Sequence, residues 1–129
     1  MPEGSVLVTC IVGSIKLIGD CGITDRRVAI NQQINAIVPN KNVESAFLWS
    51  LVRAVKTLIQ ANATGVMTRI INKSRLEMIP AISPPTPLQR QFATLVAEIR
   101  QLEAAQADSR QQLVNLLQSL QHRAFQGEL

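Results

Sequence analysis

Apolar and polar positions follow two different rhythms along this chain, and the change of rhythm divides it. Up to Pro39 the apolar stretches are short, rich in Val and Ile, and cut by glycine or polar clusters, the pattern of strands and turns. Val6–Val12 is one such run, ending at Gly13-Ser14. Ile15–Ile18 resumes it before Gly19-Asp20, which predicts a hairpin or two successive strands. Gly22 and Thr24-Asp25 mark a further turn. Val28–Ile30 and Ile34–Val38 predict short strands, separated by the amide-rich Asn31-Gln32-Gln33 and stopped by Pro39.

From Asn42 the spacing becomes helical. Asn42 is the expected N-cap, with Glu44 in the first turn where negative charge suits the helix dipole. Phe47, Leu51, Val55 and Leu58 recur on one face, with Leu48, Val52 and Ile59 beside them, a stripe wide enough to pack into a core. Asn62–Gly65 ends this helix. Val66–Ile71 predicts another strand, Asn72-Lys73-Ser74 opens a short turn or helix, and Ser83-Pro84-Pro85 is a proline-rich connection.

The strongest local signal follows. Thr86-Pro87-Leu88-Gln89 has the form of a capping box, with Thr86 as N-cap, Pro87 at the first helical position and Gln89 at the third. No Gly or Pro occurs from Leu88 to Gln126. Leu88, Phe92, Leu95, Ile99, Leu102, Gln106, Ser109, Leu113, Leu116 and Leu120 recur at alternating steps of four and three. This is a sustained heptad seam, apolar towards both ends and polar at Gln106 and Ser109. A helix on the order of 55–60 Å long cannot bury such a seam on the small domain before it. It needs a partner helix.

Charge sharpens this division. The net charge is +4, and all the excess lies before residue 81, where nine Lys or Arg face five acids; the remainder is neutral. That asymmetry suits a polyanion partner. Three Phe, one Trp and no Tyr exclude an aromatic platform for stacking single-stranded bases. Cys10 and Cys21 lack the close pairing of zinc ligands, and read as free thiols in a reducing cytoplasm. No apolar run reaches membrane-spanning length. Gly13, Gly19 and Gly22 do not form a nucleotide fingerprint, and Lys16 is not placed as a phosphate-loop lysine. The single histidine, His122, is expected on a helix surface near the C-terminal end of the dipole. No acid–base pair, nucleophile arrangement, metal cluster or cofactor site emerges, and the chain is expected not to be an enzyme.

Two groups remain as candidates for contacts. The amides of Asn31, Gln32, Gln33 and Asn35 are of the type that pairs with adenine in the major groove, and equally of the type that braces tight loops. Arg69, Lys73 and Arg75 flank the strand expected after Gly65 and suit phosphates, as does Lys16; they are also ordinary surface charges.

Four segments, in order, carry a family resemblance. Val6–Ser14 followed by Val28–Ile37 is similar to the distal part of a target-recognition domain in the specificity (S) subunits of type I restriction–modification systems. Ile71–Pro80 and Pro84–Ala93 resemble the approach to that family's long helix, and Leu116–Leu129 resembles its end. The resemblance implies an α+β fold: a partial mixed α/β recognition domain over 1–83, lacking its proximal part, then one long coiled-coil helix over 84–129. It implies a cytoplasmic, non-catalytic subunit that reads double-stranded DNA without a cofactor. Lys16, Gln32, Gln33, Arg69, Lys73 and Arg75 are its expected DNA contacts. The heptad seam would pair antiparallel with a second copy or another S subunit, and the assembly would engage methyltransferase and, through it, endonuclease subunits. The alternative is a truncated interaction module that pairs through its helix without reading DNA.

Overall fold

The computed structural model describes residues 1–128, so Leu129, the last residue of the expected helical segment, lies outside the described residues. The chain has a mixed α/β architecture with small sheets and a long C-terminal helix. It forms two compact units, Met1–Ala93 and Thr94–Leu129.

In the first unit, strand β1 (Val6–Thr9) lies between β3 (Cys21–Ile23) and β4 (Ile34–Ile37), antiparallel to both. Val8 pairs with Cys21 on one side and Asn35 on the other. The two-residue period of a strand sends Val6 and Val8 into the core, and Cys10 continues the same alternation. At Cys10 the chain leaves this sheet. Strand β2 (Ile11–Val12) pairs instead with β5 (Arg69–Ile70). Ile18, Val52, Ile59 and Ile71 complete the buried cluster, with Leu48, Trp49 and Val55 packed against it.

Several expectations change here. Ile15–Ile18 is not a second strand: Ile15–Leu17 forms a 3-10 turn, and Gly19 follows at φ 80°. The turn drives Ile18 into the core, while Thr9 and Gly19–Asp20 close on each other by backbone hydrogen bonds. A short apolar run has no period that separates these two outcomes. Gly22, expected in a turn, pairs with Leu7 inside β3. Val28–Ile30 is not a strand, since the Val28 amide donates to the Met1 carbonyl rather than to a ladder. The strand expected over Val66–Ile71 is confined to Arg69–Ile70, because Gly65–Thr68 makes the tip of a hairpin.

The first helix is shorter than its pattern. α1 (Ser45–Ala54) starts after Glu44, which holds the N-cap position in place of Asn42, and α2 (Lys56–Ala61) follows a break at Val55. No Gly or Pro marks that break. Val52 and Ile59 become its most buried positions, whereas Leu58, expected on the core stripe, is exposed. α3 (Lys73–Glu77) is capped by Asn72, whose side chain accepts from the Arg75 amide at 2.9 Å.

α4 spans Thr86–Phe125 without interruption. Its start is not the expected capping box. The Pro85 carbonyl accepts from the Leu88 and Gln89 amides, and Gln89 turns its side chain into the domain. There Oε1 accepts from the Glu44 amide at 3.0 Å, while Nε2 donates to the carbonyls of Asn42 at 3.3 Å and Pro84 at 2.8 Å. Phe92 meets Phe47 edge-on, with centroids 6.0 Å apart, and Arg90 pairs with Glu44 at 3.2 Å.

Candidate nucleic-acid interface

Two of the segments that carry candidate side chains meet at Cys10. Its amide and that of Ile11 donate to the Gln33 carbonyl at 2.8 and 3.3 Å, and its own carbonyl accepts from Ile71 at 2.9 Å. One residue thus joins the Asn31–Gln33 turn to the end of β5. Within the turn, Asn31 acts as a brace: its Oδ1 accepts from the Gln33 amide at 3.0 Å. Gln32 and Gln33 remain exposed. Asn35 faces inward to Cys10. Burial raises the Cys10 thiol above its ordinary pKa, against the opposing hydrogen bonds from Asn35.

β5 leads directly into α3 and brings Arg69, Lys73 and Arg75 into one short stretch. Arg69 Nη1 donates to the Gly65 carbonyl at 2.6 Å, closing the hairpin in which Thr64 and Ile70 exchange two backbone bonds of 2.8 Å. Arg75 Nη1 donates to the Asn62 carbonyl at 3.1 Å, which ties α3 to the end of α2. A guanidinium has five N–H donors, so neither internal bond exhausts its arginine. Lys73 and Glu77 are 3.6 Å apart and both exposed, an ion pair worth less than about 1 kcal/mol and readily exchanged for a phosphate. Lys16 is carried by the 3-10 turn, where its carbonyl accepts from Gln60 Nε2 at 3.3 Å.

Two features escaped the sequence reading. The Arg53 guanidinium lies over the Trp49 ring, 4.7 Å from its centroid, a four-residue helical spacing that was legible. Lys56 forms an ion pair with Asp20 beside it. Burial is the main cause of the raised Cys21 thiol pKa at this place; Arg53 opposes it, Asp20 adds to it and Lys56 opposes it. The other feature is the hairpin tip, where Val66 and Met67 are 88% and 89% exposed. The sequence pattern predicts a strand for both.

Along α4, Leu95, Ile99, Leu102, Leu113, Leu116 and Leu120 are exposed, as are the polar positions Gln106 and Ser109. Among the described residues no three His, Cys, Asp or Glu side chains gather as metal ligands, and no helix is long and apolar enough to cross a membrane.

The family described as the type I restriction modification DNA specificity domain matches residues 1–113. The chain belongs to that family. The matched span of this specificity domain holds all six candidate contact residues and the seam as far as Leu113. A crystal structure of a type I restriction-modification system S subunit from M. genitalium has a similar fold, with TM-score 0.58 and 19% identity. The likeness covers 81% of this chain and 28% of that one, so the specificity domain spans less than a third of that subunit's length. No curated protein matches the chain.

Proposed function

We propose that this chain reads double-stranded DNA sequence-specifically as part of a type I specificity subunit, working in the cytoplasm and performing no chemistry of its own. The observation that carries this reading is the family match over residues 1–113. The geometry supports particular roles. Gln32 and Gln33, exposed on a turn whose backbone Asn31 braces, would meet base edges, where an amide can pair bidentately with adenine. Arg69, Lys73, Arg75 and Lys16 would hold phosphates and set the register of the domain on the duplex. α4 would pair antiparallel with the long helix of a second copy or another S subunit. The assembly would dock the methyltransferase subunit and, through it, the endonuclease, while methyl transfer and cleavage remain with those partners.

A gel shift of the chain, alone and with its methyltransferase subunit, on duplexes from methylation-mapped sites tests the reading. Binding should weaken by about 0.9 log unit per log unit of salt for each phosphate contact. Arg69→Ala and Lys73→Ala should each weaken all sequences alike and lower that slope by about one. A salt-independent interaction, or none with any duplex even in the assembled complex, would refute it.

A further inference from the structure

The hairpin between α2 and α3 has a property that the phosphate contacts proposed above would not require. Val66 and Met67, adjacent at its tip, are almost fully exposed. Single exposed apolar residues are commonplace, but this pair stands on a turn held from several directions. Gly65 has φ 92°, and a Cβ there would run into the Thr68 carbonyl. Arg69 closes on the Gly65 carbonyl, and Thr64 and Ile70 lock the base of the hairpin. The tip is therefore preorganised, which lowers the entropy cost of using it. Its surroundings are cationic: between residues 60 and 80 the chain carries Arg69, Lys73 and Arg75 against Glu77 alone. Such a field favours a polyanion over an ordinary protein surface.

We propose that Val66 and Met67 form a base-contacting tip, which enters a groove of the duplex and lays two apolar side chains against the bases. Apolar side chains meet DNA at the thymine methyl group in the major groove, or between base steps from the minor groove. Both contacts use apolar surface that the phosphates lack, so the tip contributes sequence selection rather than general affinity. This inference rests on the DNA-reading function proposed above and adds a second reading element to the Gln32–Gln33 turn.

The test is Val66→Ser with Met67→Ser in the assembled specificity–methyltransferase complex. Affinity is measured for a mapped target duplex and for mixed-sequence duplex over a range of salt. Both side chains lie outside the core, so the substitution spares folding, which the exchange rate of the Ile70 amide checks. The target-to-mixed affinity ratio should fall by about tenfold or more, with the salt slope unchanged. Uracil in place of thymine within the target then distinguishes methyl contact from insertion between bases. An unchanged ratio overturns the inference, and so does a parallel loss of both affinities. Loss of the methyltransferase subunit with the ratio preserved overturns it in favour of protein docking. A wild-type complex without target preference fails earlier, at the DNA-reading function itself.

Discussion

Gln89 is the polar side chain on which the start of α4 depends. It is 1% exposed, and its amide joins the Glu44 amide to the carbonyls of Asn42 and Pro84. Gln89→Leu keeps the bulk and removes all three bonds. A buried polar group without a partner costs about 1–3 kcal/mol, so the variant should lose about 2–4 kcal/mol. The exposed Gln91→Leu should stay within about 0.5 kcal/mol. Urea unfolding followed by Trp49 fluorescence measures both; equal midpoints would remove Gln89 from this role. Its residue type was legible, but its partners were not: a capping box is a local pattern, whereas Asn42 and Glu44 lie more than forty residues upstream. Cys10 gives a pH-dependent counterpart. Its folded pKa is raised by burial, so above the ordinary thiol pKa the native state holds a proton that the unfolded chain has lost. Stability from this group is complete below the unfolded pKa and declines as pH rises through the folded one. Cys21 is raised in the same direction. Cys10→Ala should therefore flatten the loss of stability that sets in above the ordinary thiol pKa, about 8.5, as read from denaturation midpoints; an unchanged slope would assign that loss to other groups.

Among the elements, β1, α3 and the extent of α4 were legible, whereas the caps expected at Asn42 and Thr86, the break at Val55 and the segments governed by distant partners were not. β1 follows its alternation of Val6 and Val8, Asn72 caps α3, and α4 runs unbroken through the stretch without Gly or Pro. Ile15–Leu17 and Val28–Ile30 carry the same apolar residue types as the true strands, yet their hydrogen-bonding partners come from elsewhere in the chain. The exposed amides and cations of the candidate interface could be named from sequence, but not the junction at Cys10 that joins two of their segments. The hairpin between Thr64 and Ile70 depends on one readable residue, Gly65, whose left-handed backbone and crowded Cβ position admit no side chain. Gly65→Ala should cost about 1–3 kcal/mol locally and speed exchange of the Ile70 amide, which donates to Thr64 at 2.8 Å. Gly13→Ala is the control, since a Cβ there meets nothing within 4 Å. Similar Ile70 exchange in both variants would show that the hairpin does not need the left-handed turn.

At the scale of the whole molecule, the stripe of exposed apolar positions along α4 carries the proposed pairing. Leu113 and Leu116 are 67% and 57% exposed, and the seam positions from Leu95 to Leu120 are open among the described residues. A helix of 40 residues is about 60 Å long, a length that a second long helix in the proposed pairing would match. The pairing proposed for α4 is antiparallel. In the register where Leu95 would meet Leu113, Gln106 would meet Leu102 and Ser109 would meet Ile99 near the middle. A parallel pair would stack Gln106 on Gln106 and Ser109 on Ser109. Polar seam positions of this kind fix register at some expense of stability. Leu113→Asp with Leu116→Asp places charges in two layers, at roughly 3–5 kcal/mol for each charge left buried without a partner. Since about 1.4 kcal/mol is tenfold in a dissociation constant, association at micromolar concentration should disappear. Gln118→Asp, on the outward face of the same turn, should leave it intact. Sedimentation of the wild type and both variants, alone and with a full-length S subunit, decides the matter. A wild type that stays monomeric at every concentration and captures no second helix would leave the seam without its partner and remove pairing from the function of α4.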